Sequence, residues 1–254
     1  MIILKSKTEI EKIRISCKMV AETLQYLKTL VKPGIRTIDL DDKAEKFITN
    51  KGAIPAFKGY SLNAGGYGFP GSVCTSINNE IIHGIPSVRK LKDGDIISLD
   101  LGILYNGYYG DAAITIPVGE ISESNKRLID ITKESLDNAI LQCVIGNRIG
   151  DISNCIYNHA NISGFYVVKE FGGHGIGSNL HEEPFVPNYG KSGQGVRLQE
   201  GMVIAIEPMI NMTSSAIGRL NDGWTIVTRD GNSSAHFEHT VVITKNGPEI
   251  LTVE

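Results

Sequence analysis

Asp95–Val118, DIISLDLGILYNGYYGDAAITIPV, is the stretch that decides how this chain folds. Two apolar, strand-like runs, Asp95 to Leu104 and Tyr108 to Val118, flank Asn106-Gly107. An Asn-Gly pair tolerates the two positive φ angles of a tight hairpin turn, and it is the strongest short-range hairpin signal. A two-residue turn there sets Asp100 opposite Ala113 and Asp111 opposite Gly102. The two aspartates then lie on one face as diagonal neighbours, about 7–8 Å apart at the backbone. Both are flanked by small or apolar residues, in SLDLG and YGDAA. Burying an unpaired carboxylate is costly and two close together repel, so this hairpin asks for a cation between them.

Outward from the hairpin, the same puzzle repeats. Glu207 ends the apolar run GMVIAIEP, and Glu238 lies inside SAHFEHTVVIT, alternating with residues that read as core. His174 sits in GGHGIG, where glycines allow close backbone approach. His181 follows in the polar run HEEP. Each taken alone has an ordinary reading, as a solvent-facing strand residue or a structural histidine. Four acids each in an apolar strand, with an imidazole nearby, do not. Carboxylate-rich ligation with one histidine suits Mn, Fe, Co or Zn in a bridged pair. Ions about 3.5–4 Å apart serve hydrolases by activating a shared water.

The helices frame these strands. Thr8 to about Val31 is apolar at near-helical spacing and is ended by Pro33-Gly34. A second helix is expected from Asp39 to about Asn50, with Gly52 just beyond it. Lys126 to Val144 and Asp151 to about Asn161 repeat the plan, closed by Gly146 and Gly164. Moved forward by 112 positions, Gly34, Arg36, Asp39 and Gly52 fall on Gly146, Arg148, Asp151 and Gly164 without a gap. That pattern predicts an internal duplication, with two similar α+β halves and a site between them. Further strands are expected at Phe165 to Phe171, Met202 to Glu207, Trp224 to Thr228 and Ala235 to Thr244, and a glycine-rich loop at Tyr60 to Gly71.

Bulk properties exclude several classes. The 254 residues carry a formal net charge of −3, which gives no pull on nucleic acid or anionic membrane. No apolar run is long enough to span a bilayer, and MIILKSKTEIEKIRIS does not read as a secretory signal. Cys17, Cys74, Cys143 and Cys155 form no CxxC pair and read as reduced thiols of a cytoplasmic protein. The absence of heptads gives no reason to expect more than a monomer.

Taken in order, SINNEIIHGIP, DGDIISLDLG, YNGYYGDAA, GGHGIGSNLHEEP, GMVIAIEPM, DGWTIVTRDG and SAHFEHTVVIT resemble type I methionine aminopeptidases, of the wider creatinase and prolidase group of M24 metallopeptidases. The resemblance spans nearly the whole chain. It implies an α+β "pita-bread" fold: two pseudo-symmetric α/β halves, roughly 1–120 and 121–254 of one catalytic domain, around a curved antiparallel sheet. It implies two divalent ions (Co, Mn, Fe, Zn or Ni). Asp111 and Glu238 match the bridging ligands, Asp100 a ligand of one ion, His174 and Glu207 ligands of the other. A bridging hydroxide is the implied nucleophile and Glu207 the implied proton shuttle. His83 matches the residue that hydrogen-bonds the substrate's first residue, and His181 the one that steadies the scissile carbonyl. Cys74 and Trp224 match walls of the methionine slot, and Asn78 and Ser234 match backbone positions around a monovalent cation. The implied reaction is removal of the first methionine from nascent polypeptides when the second residue is small, with docking at the ribosome.

Two departures bear on the pocket. Leu180 stands where many members carry an aromatic, and the loop from Tyr60 to Gly71 is longer than usual, so Tyr60, Tyr67 and Phe69 compete to line the slot. The alternatives are an Xaa-Pro peptidase of the same fold, a pita-bread binding protein that has lost catalysis, and a paralogue of narrowed substrate range.

Overall fold

In a computed structural model of the chain, residues 2–61 and 67–254 are described. The Tyr60–Gly71 loop therefore falls partly outside the described residues; 60–61 and 67–71 have no regular structure.

The hairpin forms as its turn chemistry requires. Strands Ile96–Tyr105 and Tyr108–Pro117 pair antiparallel, with Asn106 at φ 49° and Gly107 at φ 80° in the turn. Asp100 pairs with Ala113 and Gly102 with Asp111, the register expected. This hairpin is the spine of a curled sheet that has nine strands among the described residues. Glu238–Thr244 pairs beside Tyr108–Pro117, followed by Val203–Ile206, Gly172–Gly175 and Glu182–Pro187. Cys74–Ile77 lies along the other edge of the hairpin, with Cys74 opposite Asp100.

Among the described residues, four helices cover the sheet. Helix α1, Lys7–Leu30, is capped by Ser6, whose hydroxyl accepts from the Glu9 amide while the Glu9 carboxylate accepts from the Ser6 amide. It buries Ile13, Cys17, Val20, Leu24 and Leu27, one stripe at helical spacing. Helix α2 is Thr37–Asn50, α3 is Glu123–Ile140 and α4 is Ile149–Ile162. One apolar core joins α1 and α2 to the hairpin, through Leu24, Leu40, Leu99 and Leu101. A second joins α3 and α4 to the other half of the sheet, through Leu136, Ile152, Ile204 and Val241. Helices α2 and α4 are each 14 residues long and lie 112 positions apart. Each is followed by a two-residue strand at that same offset, Ile54–Pro55 and Tyr166–Val167.

Several boundaries differ from expectation. Asp39 and Asp151 do not open their helices. Each sits in the first turn, and its carboxylate accepts from the backbone amide of Arg36 or Arg148 ahead of it, so the helices begin two residues earlier. Helix α3 starts at Glu123, under a Ser122 cap, and ends at Ile140, with Leu141–Val144 outside it. The run Ala235 to Thr244 breaks at Phe237. Ser234–His236 pairs with Met209–Asn211 in a separate sheet, while Glu238–Thr244 stays in the main one. Of Phe165 to Phe171 only Tyr166–Val167 is strand, and Trp224 lies just ahead of the strand Ile226–Thr228.

Candidate metal centre and substrate pocket

The inner face of the sheet lines a cavity of ≈ 530 Å³. The five expected metal ligands border it, Asp100, Asp111, His174, Glu207 and Glu238, and so do His83, His181, Cys74 and Trp224. The hairpin supplies the two aspartates from one face, and the neighbouring strand supplies Glu238, which pairs opposite Ala113. Glu207 follows Val203–Ile206, and His174 projects from Gly172–Gly175. Small residues make that last placement possible. A Cβ on Gly173 would stand 2.1 Å from the Ala205 carbonyl oxygen, and one on Gly175 2.3 Å from that of Glu183. Only glycine lets the histidine strand approach this closely.

Ligand atoms of Asp111, His174 and Glu238 lie within 4.8 Å of one another. Glu207 Oε1 is 3.9 Å from His174 Nε2. Asp100 is 8% exposed, Asp111 and Glu238 each 3%, yet Asp100 Oδ1, Asp111 Oδ1 and Glu238 Oε1 have no hydrogen-bond partner. Buried polar atoms are nearly always partnered, and an orphaned carboxylate oxygen is the most costly kind to leave alone. Burial pushes Asp100 up to about 7 and raises Asp111 and Glu238 well above the ordinary carboxylate range, with neighbouring carboxylates adding to each. The cluster is thus over-supplied with negative charge, and divalent cations fit its donor set. His174 is prepared to be a ligand. Its Nδ1–H donates to the Gly175 carbonyl at 2.9 Å, leaving Nε2 as the lone-pair nitrogen beside the acids.

Glu207 behaves differently from the other three acids. Burial pushes it up, but the adjacent His236 imidazole, with His174 and His181, holds it below the ordinary carboxylate value. His236 was not among the residues singled out from the sequence. It is 1% exposed, and its Nε2 is 3.5 Å from Glu207 Oε2. A signal was available: His236 stands two positions before Glu238 in an alternating run, on the side that carries the acid.

The rest of the cavity is apolar and aromatic. Phe69 meets Trp224 edge-on with ring centroids 5.4 Å apart, and His83 lies 6.1 Å from both Trp224 and Phe171. Cys74 lines the same cavity, its thiol pushed up by burial and by Asp100 and Asp111, so it is a neutral wall and not a nucleophile. All four cysteines are free thiols. His83 has φ 60°, a left-handed conformation rare outside glycine and common where a functional side chain is aimed. Burial lowers its pKa to about 4, so it is neutral near pH 7. Of the three aromatics of the long loop, Phe69 is 2% exposed in the slot, Tyr60 reaches His181, and Tyr67 is 97% exposed.

The sequence profile of metallopeptidase family M24 matches residues 11–245. The chain is 53% identical over 253 residues to a methionine aminopeptidase of Clostridium perfringens, covering 100% of this chain and 99% of that one. It is 49% identical over 252 residues to methionine aminopeptidase 1 of Bacillus subtilis, with 99% of each covered. The crystal structure of methionine aminopeptidase from Rickettsia prowazekii superposes with a TM-score of 0.96 at 40% identity, over 100% of both chains. Among the described residues, no helix is long and apolar enough to cross a membrane. With the curled sheet and its cluster of acids in place, these likenesses put the chain in metallopeptidase family M24 and, within it, among the methionine aminopeptidases.

Proposed function

We propose that this chain hydrolyses the first peptide bond of nascent polypeptides that begin with methionine followed by a small residue. It does so as a monomer in the cytoplasm, near the ribosome. Asp100, Asp111, His174, Glu207 and Glu238 would hold two divalent ions, the carboxylates of Asp111 and Glu238 standing where both could be reached. The observation that carries this reading is the set of three partnerless buried carboxylate oxygens beside the free Nε2 of His174. Divalent ions held there supply Lewis acidity toward the scissile carbonyl and lower the pKa of water.

The protein's own groups do the rest. Glu207, kept ionised by its histidines, takes the proton of the attacking water and returns it to the leaving amine. His83, neutral and aimed by its backbone, hydrogen-bonds the substrate's first residue. His181 meets the scissile carbonyl as charge develops on its oxygen. Phe69, Cys74 and Trp224 enclose the methionine side chain, a soft and polarizable group against aromatic edges and a thiol. A monovalent cation at Asn78 and Ser234 belongs to the same reading, supported by the Ser234 amide donating to the Asn78 carbonyl at 2.8 Å. We read residues 1–254 as one catalytic domain, with halves 1–120 and 121–254 derived from an internal duplication. The repeat of helix, strand and positive-φ glycine at one offset supports this.

The purified protein with added Mn or Co is expected to release methionine from Met-Ala-Ser. Asp100→Asn and Glu207→Ala are expected to abolish this turnover, and wild-type rates in either variant overturn the assignment. Comparing Met-Ala-Ser with Leu-Ala-Ser and Ala-Pro tests selectivity. An Xaa-Pro peptidase prefers the last, and an inactive binding protein cleaves none.

A further inference from the structure

His181 is held by a residue from the other half of the chain. Tyr60 Oη lies 2.7 Å from His181 Nδ1, across 121 positions of sequence. The rings are also in contact, with centroids 5.3 Å apart and planes tilted by 49°. We propose that Tyr60 is a positioning residue for His181: its hydroxyl donates to Nδ1 and so keeps the ring proton on Nε2, available to the scissile carbonyl. This rests on the peptidase reading above.

Three observations support it. First, the two histidines of the GGHGIGSNLHEEP segment sit side by side, with centroids 4.3 Å apart, but their Nδ1 atoms meet opposite kinds of partner. His174 Nδ1 faces a carbonyl, which can only accept, so that ring must carry its proton on Nδ1 and present a bare Nε2. His181 Nδ1 faces a hydroxyl, which can donate, so that ring can carry its proton on Nε2. A metal ligand needs the first tautomer and a hydrogen-bond donor to substrate needs the second.

Second, the tyrosine is itself fixed. Its amide donates to the Phe57 carbonyl at 2.9 Å, and its carbonyl accepts from the Phe69 amide at 2.8 Å. Phe69 in turn accepts from the Gly59 amide, so the backbone that carries Tyr60 is clamped to the wall of the methionine slot. Third, the segment that carries His181 is braced on its far side. The buried ammonium of Lys5 pairs with Glu182, whose carboxylate also accepts from the Asn179 amide. Leu180 turns into the apolar cluster with Phe57 and Tyr60. A ring gripped from Nδ1 on a braced loop has one orientation left, and a pre-set orientation is what a transition-state donor requires.

The test uses Tyr60→Phe, which removes one oxygen and keeps the ring. Steady-state kinetics on Met-Ala-Ser should give a kcat about 10-fold lower with KM nearly unchanged, the size expected when a group that orients a catalytic imidazole is lost. In a His181→Ala background the same change should add nothing, since the two act as a unit. The tautomer is read directly on zinc-loaded protein with 15N-labelled histidine, the His181 signals being assigned by their loss in His181→Asn. Wild type should show His181 protonated on Nε2 alone, and Tyr60→Phe should show a mixture. An unchanged tautomer in Tyr60→Phe, or an equal further loss in the His181→Ala background, overturns the proposal. If wild type cleaves no methionyl peptide, the peptidase reading fails, and the nitrogen signals still decide what Tyr60 does to His181.

Discussion

His236 Nε2 lies 3.5 Å from Glu207 Oε2, a buried imidazole set behind the carboxylate proposed to hold a cation and move a proton. The contact keeps Glu207 ionised against the pull of burial. His236→Ala should therefore lower kcat by about 10- to 100-fold, the usual cost of losing a partner behind a ligand. His236→Gln, which keeps a donor at that place, should retain most of the activity. Equal damage in both variants, measured by steady-state kinetics, would point to packing alone.

The acid cluster sets the pH response of the metal-free protein. Asp100, Asp111 and Glu238 all titrate above their ordinary range because burial penalises their charged forms. Groups with a raised folded-state pKa favour the folded state when protonated. Their contribution is full below about pH 4 and is lost as pH rises through the folded value, about 7 for Asp100. Metal-free protein should lose thermal stability between pH 5 and pH 8, on the order of the interval set by those pKa values. Added Mn should restore it at the upper end and do little at the lower. Differential scanning calorimetry across that range checks both, and a flat profile contradicts the cluster's charge.

Lys5 and Glu182 form an ion pair whose side chains are 2% and 7% exposed. Removing one partner strands a buried charge, at a cost of about 3–5 kcal/mol. Lys5→Ala should lower the urea midpoint accordingly, while Lys5→Met combined with Glu182→Leu should recover much of the loss. The single variant should also lose turnover, because Glu182 adjoins His181.

Gly173 has no room for a methyl group, with the Ala205 carbonyl oxygen 2.1 Å from where it would stand. Gly173→Ala must push the histidine strand away from Val203–Ile206. We expect destabilisation of about 3 kcal/mol by denaturant melts. Isothermal titration should show a weaker metal site, since His174 moves with its strand. Unaltered metal affinity would mean that the strand's position does not set the ligand's.

How much of this was legible beforehand follows from the range of each interaction. The Asn106-Gly107 turn fixes a register through local chemistry, and the period of two then carries it outward, so Asp100 and Asp111 could be set on one face from sequence. The four acids and the histidine stood out because each sits in an apolar run or a glycine-rich segment where a polar group needs a reason. The helix starts slipped by two residues because an aspartate in the first turn, bonding back to the preceding amide, looks like a cap in sequence. The break at Phe237 was hidden because both flanks alternate alike. It exists only because Ser234–His236 and Glu238–Thr244 pair with different strands. Tyr60 and His181 meet across the fold, and no periodicity encodes such a meeting.

The claim on which the rest depends is that five side chains gather two divalent ions in the cavity of the curled sheet. Anomalous diffraction at the manganese edge, from crystals grown with Mn, tests it most directly. The account predicts two peaks bounded by Asp100, Asp111, His174, Glu207 and Glu238. A cavity without a peak, or ions bound only elsewhere on the surface, would contradict it.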